Sequence, residues 1–177
     1  NYLAMTDTPR LLLDSEQIAQ KVTRIAYEIY ERNFEQEAIV LAGVIDRGYH
    51  LAELSANELD KVSHFSRKEG TLTLVEVSLE KFTQQQTETI FNVPMTDFDG
   101  KSIVLVDDVL NTGRTLAYCL PSFLKRPISN LEIAVLVNRS HSQFPVMANY
   151  TGLELATTLQ EHIEVVFESN RKGVYLR

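Results

Sequence analysis

Two adjacent aspartates and a glycine-containing turn lie close together in the stretch SIVLVDDVLNTGRT, which begins at residue 102. Asp107 and Asp108 follow an apolar run, and the turn leads into a helical pattern. Gly113 allows the backbone to turn sharply and to approach a ligand closely, while Thr112 and Thr115 add hydroxyl donors. Several backbone N–H groups converge at the start of the following helix, where the macrodipole is positive. Together these groups predict a cradle for a phosphate dianion.

The two carboxylates predict a second binding function beside this cradle. Carboxylates accept hydrogen bonds from vicinal hydroxyls, or hold Mg²⁺ with the help of its water ligands. A phosphate on one side and a diol on the other describe a ribose 5-phosphate. The alternative is an ordinary strand–turn–helix junction with two solvated acids, which the joint occurrence of strand, acids, turn and helix disfavours. The sequence contains neither a Walker-type GxxxxGK[ST] pattern nor GxGxxG.

A second loop with glycines, GVIDRG at residues 43–48, follows another apolar run. Gly43 and Gly48 expose backbone N–H groups after a strand, and Arg47 offers a planar fork that matches phosphate oxygens. By itself Arg47 could equally be an ordinary surface residue. A phosphate role becomes the better interpretation because the Asp-Asp stretch is expected on a neighbouring strand.

The remaining sequence supplies elements that would position these loops. Asp14 and Gln17 form a capping pattern before an amphipathic helix that ends near Asn33. Further helices are expected around residues 51–62 and 113–126, and strands at 38–43, 72–79, 102–106, 131–137 and 163–167, with an edge at 174–176. Alternating strands and helices predict a single α/β domain over residues 1–177 with a mainly parallel sheet. Ligands of such sheets bind beyond the carboxyl ends of the strands.

The composition narrows the class of protein. The chain has 177 residues, 44% of them hydrophobic and 23% charged, which is typical of globular domains and unlike disordered ones. A single cysteine, Cys119, excludes an internal disulfide. The longest apolar run, residues 39–45, is too short to cross a bilayer, and we expect a soluble, cytoplasmic protein. The formal charge of −7 argues mildly against a protein whose main task is gripping nucleic acid.

The Asp-Asp stretch resembles the phosphoribosyl-diphosphate signature of type I phosphoribosyltransferases. The resemblance extends over most of the chain and is closest to the pyrimidine-operon attenuator and uracil phosphoribosyltransferase family. It is also carried by VTRIAYE at residues 22–28, LAGVIDRG at 41–48 and AVLVNRSHSQFP at 134–145. It implies a parallel sheet with helices on both faces, a small C-terminal hood and a homodimer. The activity it implies is transfer of a phosphoribosyl group to a nucleobase with release of diphosphate.

The same resemblance implies roles for particular residues. Asp107 and Asp108 would bind the ribose hydroxyls, directly or through Mg²⁺, and Arg47 would take up charge on the diphosphate. A polar segment at residues 80–92 would be a closing lid or a plain exposed hairpin. Glu168 would be a further metal contact. The other substrate-binding residues implied are Gly43, Asp46 and Gly48 for diphosphate, Asn111, Thr112, Gly113, Arg114 and Thr115 for the 5-phosphate, and Val137, Asn138 and Arg139 for the base.

Departures from the family pattern bear on the base that is used. Relatives acting on 6-oxopurines have an acid where this chain has Asn111 and a lysine where it has Asn138, so purine salvage is disfavoured and uracil is the expected base. The pyrimidine relatives carry an Arg-Asp pair in the lid, which Lys81 replaces here only as a point charge. This substitution places turnover with uracil in question.

The alternative function is a nucleotide-sensing regulatory module that binds RNA. Thr23, Arg24 and His141 match the basic face by which the attenuator relatives bind messenger RNA, although His141 is better interpreted as a solvated loop residue. Other positions of that face are uncharged here, namely Tyr27, Met147 and Leu153. Each lost cation removes a phosphate contact and its counterion release, and RNA binding is therefore disfavoured.

Overall fold

The computed structural model describes residues 8–81, 87–156, 158 and 161–177. The strands are β1 (Arg10–Asp14), β2 (Ile39–Val44), β3 (Leu72–Lys81), β4 (Thr87–Phe91), β5 (Ser102–Leu110), β6 (Asn130–Asn138), β7 (Tyr150–Glu154), β8 (Ile163–Val166) and β9 (Gly173–Leu176). The helices are α1 (Ser15–Arg32), α2 (Arg47–Val62) and α3 (Arg114–Leu124), with short 3₁₀ turns at Met95–Phe98 and Ser169–Arg171. Among the described residues, none of the helices is both long and apolar enough to span a membrane.

The main sheet has six strands in the order β4-β3-β2-β5-β6-β7. Strands β3, β2, β5, β6 and β7 run parallel, and β4 returns antiparallel beside β3. The chain leaves β2 through α2 towards β3, whereas it leaves β5 through α3 towards β6. A crevice therefore opens between the ends of β2 and β5, where the connections diverge in opposite directions.

Helices cover both faces of this sheet, as the sequence predicted. α1 and α2 pack on the face that carries Leu41, Val104 and Val106. α3 packs on the opposite face, against residues such as Ala42 and Leu105. The strands are apolar on both sides because each side buries a core, which is the arrangement that parallel strands require.

The capping pattern before α1 has the expected physical effect. The Asp14 carboxylate accepts a hydrogen bond from Gln17 N at 2.8 Å, and the Gln17 side chain accepts one from Asp14 N at 3.0 Å. These two bonds satisfy amide groups that lack partners within the helix. The predicted stripe of Ile18, Val22, Ile25, Ala26 and Ile29 is fully buried.

The hood is a separate three-stranded antiparallel sheet in the order β1-β9-β8. The expected C-terminal hood is thus correct only in part, since its third strand comes from the N-terminal end of the described chain. The prediction that residues 174–176 form an edge is wrong, because β9 lies between β1 and β8. Neither β1 nor β7 was predicted from the sequence.

One segment near the expected site differs from the prediction, and one agrees with an alternative. Strand β5 continues through the aspartates to Leu110, because β6 pairs with it as far as Leu110↔Asn138. The polar segment 80–92 contains the end of β3 and all of β4, which pair as a hairpin from Lys81↔Thr87 to Val77↔Phe91, in agreement with the hairpin alternative. The proposed lid tip at residues 82–86 lies outside the described residues.

A buried polar network joins α1 to the end of the sheet opposite the crevice. Glu132 is 5% exposed and accepts hydrogen bonds from Tyr150 Oη at 2.7 Å and from Asn33 Nδ2 at 2.8 Å. Arg32 adds an ion pair at 3.4 Å. Burial and the adjacent Glu132 raise the pKa of Tyr150 well above its usual value, so its hydroxyl stays a donor. The network satisfies a carboxylate that would otherwise be costly to bury.

We expect Tyr150→Phe to lower the free energy of unfolding by about 1–3 kcal/mol, because it removes the shorter of the two hydrogen bonds to the buried Glu132 Oε2 and leaves only Arg32 Nη1 at 3.4 Å. Urea unfolding of the variant and the native chain measures the difference. Tyr118→Phe is the matched control, since the Tyr118 ring lies exposed on α3, and it should change stability by less than about 0.5 kcal/mol. Equal unfolding midpoints for Tyr150→Phe and the native chain would contradict this account of the network.

Candidate active site

Three loops with polar residues meet at one edge of the main sheet. They follow β2, β5 and β6, which are neighbours in the sheet order. The pairs Gly43↔Val106 and Val109↔Val137 place the ends of the three strands side by side. The expectation that the Asp-Asp stretch and the GVIDRG loop lie on neighbouring strands is therefore confirmed.

The two aspartate side chains have different neighbours. Asp107 borders a small cavity with residues 109–116 at the start of α3, and its Oδ1 also lies close to Gly48 of α2. Asp108 lies on the α2 side, where its Oδ2 is 3.0 Å from Arg47 Nε. Each carboxylate also accepts the next main-chain amide at 2.9 Å: Asp107 from Asp108 N, and Asp108 from Val109 N. The adjacent pair Asp107 and Asp108, called the couplet below, thus borders the small cavity on one side and Arg47 on the other.

The turn before α3 has the form of an anion cradle. Gly113 adopts φ 82°, the left-handed conformation that glycine accommodates without strain, and no side chain caps the helix. The first turn of α3 contains no acidic residue. The Thr112 carbonyl accepts amides from Gln143 and Phe144, which fixes the turn. The cavity beside this turn measures about 50 Å³, which suits a small anion at a positive helix end.

The side chains around the cradle make contacts with neighbouring residues and are still accessible to a ligand. Arg114 stacks over the Phe144 ring, with its guanidinium carbon 5.0 Å from the ring centroid. The Thr112 hydroxyl accepts a hydrogen bond from Arg114 N at 3.3 Å. Arg114 and Thr115 are both exposed at the start of α3. Phe144 was not recognised from the sequence, because a single aromatic residue in a loop carries no motif.

The GVIDRG segment is a tight strand–helix junction. α2 begins at Arg47 instead of near residue 51, so Arg47 and Gly48 belong to its first turn. A Cβ on Gly48 would lie 2.7 Å from Val106 O and 2.9 Å from Asp107 Cα. Only glycine therefore lets α2 begin directly against β5. A Cβ on Gly43 would likewise meet the backbone of Tyr49.

Arg47 links this junction to both the couplet and the hood. Besides its ion pair with Asp108, its Nη1 donates to Val165 O at 3.4 Å. The side chain is still 56% exposed, and it borders a cleft of about 660 Å³ together with Asp46 and Glu168. His50 stacks on Phe167 in the same cleft, at 4.7 Å between ring centroids. This cleft is large enough for a diphosphate group.

The three residues predicted to bind the base, at the end of β6 and just after it, have different surroundings. Val137 is completely buried, and its backbone pairs with both β5 and β7. The Asn138 side chain donates to Glu154 Oε1 at 3.1 Å and accepts from Ser140 N at 3.0 Å. Arg139 is 5% exposed. Glu154 was missed because it ends β7, a strand that the sequence did not reveal.

The acids of the site do not form a closed metal centre. Among the described residues, no group of three His, Cys, Asp or Glu side chains could hold a metal ion. Glu168 therefore does not join Asp107 and Asp108 as a three-carboxylate ligand set. The acids present still fit Mg²⁺, which commonly uses one or two carboxylates together with substrate phosphates and water.

The surroundings of Asp107 disfavour its charge. Burial and, to a smaller extent, the adjacent Asp108 raise the pKa of the Asp107 carboxyl well above its usual value. Burial likewise raises the pKa of the Cys119 thiol to about 12, so Cys119 is an unreactive core residue. A carboxylate held in such a place is costly for folding and typical of binding sites.

The fold and the site together define a class of protein. The chain matches the phosphoribosyl transferase domain model over residues 11–170, and it belongs to this family. Its similar proteins include the bifunctional protein PyrR of Deinococcus radiodurans, 37% identical over 165 residues that cover 91% of this chain and 89% of that protein. The pyrimidine operon regulatory protein of Lactococcus lactis is 35% identical over 156 residues, 87% of each chain. The resemblance to the PyrR branch is thus confirmed.

Two solved structures have a similar fold. A hypoxanthine-guanine phosphoribosyltransferase of Bacillus anthracis superposes with a TM-score of 0.72 at 18% identity, covering 93% of this chain and 95% of that one. A hypoxanthine phosphoribosyltransferase of Trypanosoma cruzi gives a TM-score of 0.75 at 13% identity, with 94% of each chain covered. At these identities the likeness establishes the α/β fold alone.

We expect Asp107→Asn to raise the melting temperature of the ligand-free protein near neutral pH. The raised pKa means that ionised Asp107 destabilises the folded state at pH values above the normal carboxyl pKa, and the amide removes this charge while its oxygen still accepts from Asp108 N. Each kcal/mol gained corresponds to about 2–4 °C. Calorimetric melting measures the shift, which should vanish in acid, where the carboxyl is protonated in both states.

Asp97→Asn is the matched control for this substitution, because Asp97 is exposed in the Met95–Phe98 turn. Its melting temperature should equal that of the native chain at both pH values. A lower melting temperature for Asp107→Asn than for the native chain near neutral pH would refute the claim that ionised Asp107 destabilises the folded protein.

Proposed function

We propose that the protein transfers the 5-phosphoribosyl group of phosphoribosyl diphosphate to a pyrimidine base, with uracil as the first candidate. The observation that carries this proposal is the couplet Asp107–Asp108 standing between two anion sites. One is the cradle at the start of α3, and the other is the cleft beside Arg47. A phosphoribosyl diphosphate has the same order of groups, with its ribose between a phosphate and a diphosphate.

The cradle is assigned to the 5-phosphate. Backbone amides from Asn111 to Thr115 and the hydroxyls of Thr112 and Thr115 donate to its oxygens, aided by the α3 dipole. Asp107 and Asp108 accept hydrogen bonds from the ribose hydroxyls. Because these hydrogen bonds favour the ionised carboxylates, substrate binding offsets part of the cost of charging Asp107.

The diphosphate is assigned to the cleft that Arg47 borders. Displacement of diphosphate by a base nitrogen develops positive charge on the sugar and negative charge on the leaving group. Arg47 can present its fork to the diphosphate oxygens, exchanging its ion pair with Asp108 for one with the substrate. Mg²⁺ held by Asp108, by Glu168 and by substrate oxygens would neutralise the leaving group. The protein otherwise positions the reactants and excludes water.

The pyrimidine preference rests on the loop residues and on the relatives. The resemblance implies an acid and a lysine in purine enzymes at the positions that Asn111 and Asn138 occupy here. Asn111 accepts a hydrogen bond from Arg139, and Asn138 donates one to Glu154. The relative from Lactococcus lactis is named a pyrimidine operon regulatory protein. Both lines of support favour a pyrimidine over a purine. The homodimer implied by the resemblance is part of this proposal and is measured by analytical ultracentrifugation.

We expect the protein to convert uracil and phosphoribosyl diphosphate to the nucleotide in the presence of Mg²⁺, with orotate and hypoxanthine as comparison bases. Arg47→Gln should lower kcat by about 10²–10³-fold, because it removes a preorganised positive charge from the leaving group. Labelled uracil followed by chromatography measures the product. Arg10→Gln, at an exposed position of β1, should keep native activity.

Two outcomes would contradict the proposal. If uracil, orotate and hypoxanthine are all inert, and phosphoribosyl diphosphate with Mg²⁺ does not raise the melting temperature, the phosphoribosyltransferase activity fails. If Arg47→Gln turns over as fast as Arg10→Gln, the assignment of the diphosphate to this cleft fails.

RNA binding is the second candidate function, because two of the similar proteins are named as bifunctional or regulatory. The structure places Arg24 in internal contacts: Nη2 donates to Thr151 O at 2.8 Å and to Gly152 O at 2.9 Å, and Nε pairs with Glu28 at 3.3 Å. These bonds hold α1 against β7. They commit Nη2 and Nε of Arg24 to the protein, and the neighbouring positions Tyr27, Met147 and Leu153 carry no charge, which opposes binding at this face.

We therefore expect weak RNA binding with a shallow dependence on salt. Fluorescence anisotropy with a labelled pyrimidine-leader RNA, with and without UMP, measures both quantities across a salt series. A slope of log K against log salt near −1 or less in magnitude corresponds to about one phosphate contact. Tight binding with a steep slope, abolished by Arg24→Gln, would make RNA regulation the better assignment.

A further inference from the structure

Arg139 is a buried arginine whose side chain joins two parts of the site. It follows β6 directly, and only 5% of the residue is exposed. Its main-chain amide donates to Leu110 O at 3.0 Å, and its Nη1 donates to Asn111 Oδ1 at 3.2 Å. Both partners belong to the segment that leads from the aspartates into the cradle.

The other arm of the guanidinium reaches the chain that leads into the hood. Nη2 donates to Thr158 O at 3.0 Å and to Glu161 O at 2.6 Å. These residues lie just before β8. They are also tied to each other, since Thr158 N donates to Glu161 Oε2 at 2.6 Å. The hydrogen bond from Thr158 and the charge of Arg139 lower the pKa of Glu161, so its carboxylate keeps this bond near neutral pH.

This arrangement depends on the shape of the guanidinium. A buried cation must satisfy its donors with hydrogen bonds, because an unpaired one is costly in the interior. The planar fork of Arg139 directs donors to the cradle side and to the hood side at once. A lysine carries its donors on one flexible nitrogen and cannot reproduce this geometry.

We propose that Arg139 is a positioning residue that fixes the ribose-phosphate cradle relative to the chain entering the hood. Because the resemblance assigns the base to residues 137–139, we take the side of the site between Arg139 and this chain as its base half, so that Arg139 couples the cradle half to the base half. This inference rests on the proposed function and deepens it. It replaces the expectation that Arg139 contacts the base: the guanidinium acts through Asn111 on one side and through Thr158 and Glu161 on the other. A ligand that spans both halves depends on this link, whereas a ligand confined to the cradle does not.

Two probes separate these cases. UMP carries a base and a ribose 5-phosphate and therefore spans both halves, while ribose 5-phosphate occupies the cradle alone. We expect Arg139→Lys to weaken UMP binding about tenfold or more, as loss of hydrogen bonds to a charged donor implies, and to change ribose 5-phosphate binding less than about twofold. Isothermal titration calorimetry measures both affinities. Because Arg139→Lys keeps the positive charge and loses only the planar fork, a weaker binding of UMP in this variant is assigned to the lost geometry.

A second variant tests the hood side without touching the buried cation. Glu161→Ala removes the carboxylate that holds Thr158 N, and it should also weaken UMP selectively. Since Glu161 is partly exposed, this variant is expected to fold even where Arg139→Lys does not. Arg126→Lys is the matched control, because Arg126 pairs with Asp99 at the other end of α3, and it should leave both affinities unchanged.

The outcomes divide cleanly between the two proposals. A selective loss of UMP affinity in Glu161→Ala, and in Arg139→Lys where that variant folds, supports the coupling role. An equal loss for both probes, or unchanged UMP affinity in Glu161→Ala, overturns the coupling while leaving the proposed function in place. If the native protein binds neither probe, the proposed function itself is overturned, and the coupling with it.

Discussion

The pairing of β5 with β6 beyond the aspartates is the constraint on which the site depends. It holds two adjacent acids in one strand, where Asp107 borders the α3 cradle and Asp108 contacts Arg47. Had the strand ended at Val106, as the sequence suggested, no such division would be imposed. Pairing with β6 as far as Leu110 keeps the couplet extended. A sugar placed over the end of β5 can therefore meet both carboxylates while its two phosphoryl groups point to different sites.

The same geometry creates a conflict between folding and binding. A close approach of α2 to β5, possible only because residue 48 is glycine, buries Asp107 beside a second acid and makes its charge unfavourable. The burial of apolar side chains in the two cores, one on each face of the sheet, must compensate for the cost of this charge. The ion pair between Arg47 and Asp108 relieves part of the repulsion in the free protein, and it holds the arginine beside the cleft. Such local cost is characteristic of sites that await a ligand.

The sequence indicated where the candidate site lies better than it indicated some of the strands around it. The couplet, the Gly113 turn and Arg47 were recognisable because motif spacing and residue type are local properties. The parallel sheet and α1 followed from apolar runs and a capping box. By contrast, β1 and β7 have no distinctive pattern, and their pairing partners are remote in sequence. The contacts of Arg139, Asn138 and Arg24 could not be predicted either, because each depends on loops and strands whose positions only the folded chain defines.

The central claim is that the couplet and the cradle together bind a phosphorylated ribose. A crystal structure of the protein soaked with phosphoribosyl diphosphate and Mg²⁺ tests it most directly. The account predicts electron density for the 5-phosphate on the amides of residues 112–115, with the ribose hydroxyls on Asp107 and Asp108 and the diphosphate beside Arg47. A sugar phosphate bound elsewhere, or one whose hydroxyls contact neither aspartate, would contradict it.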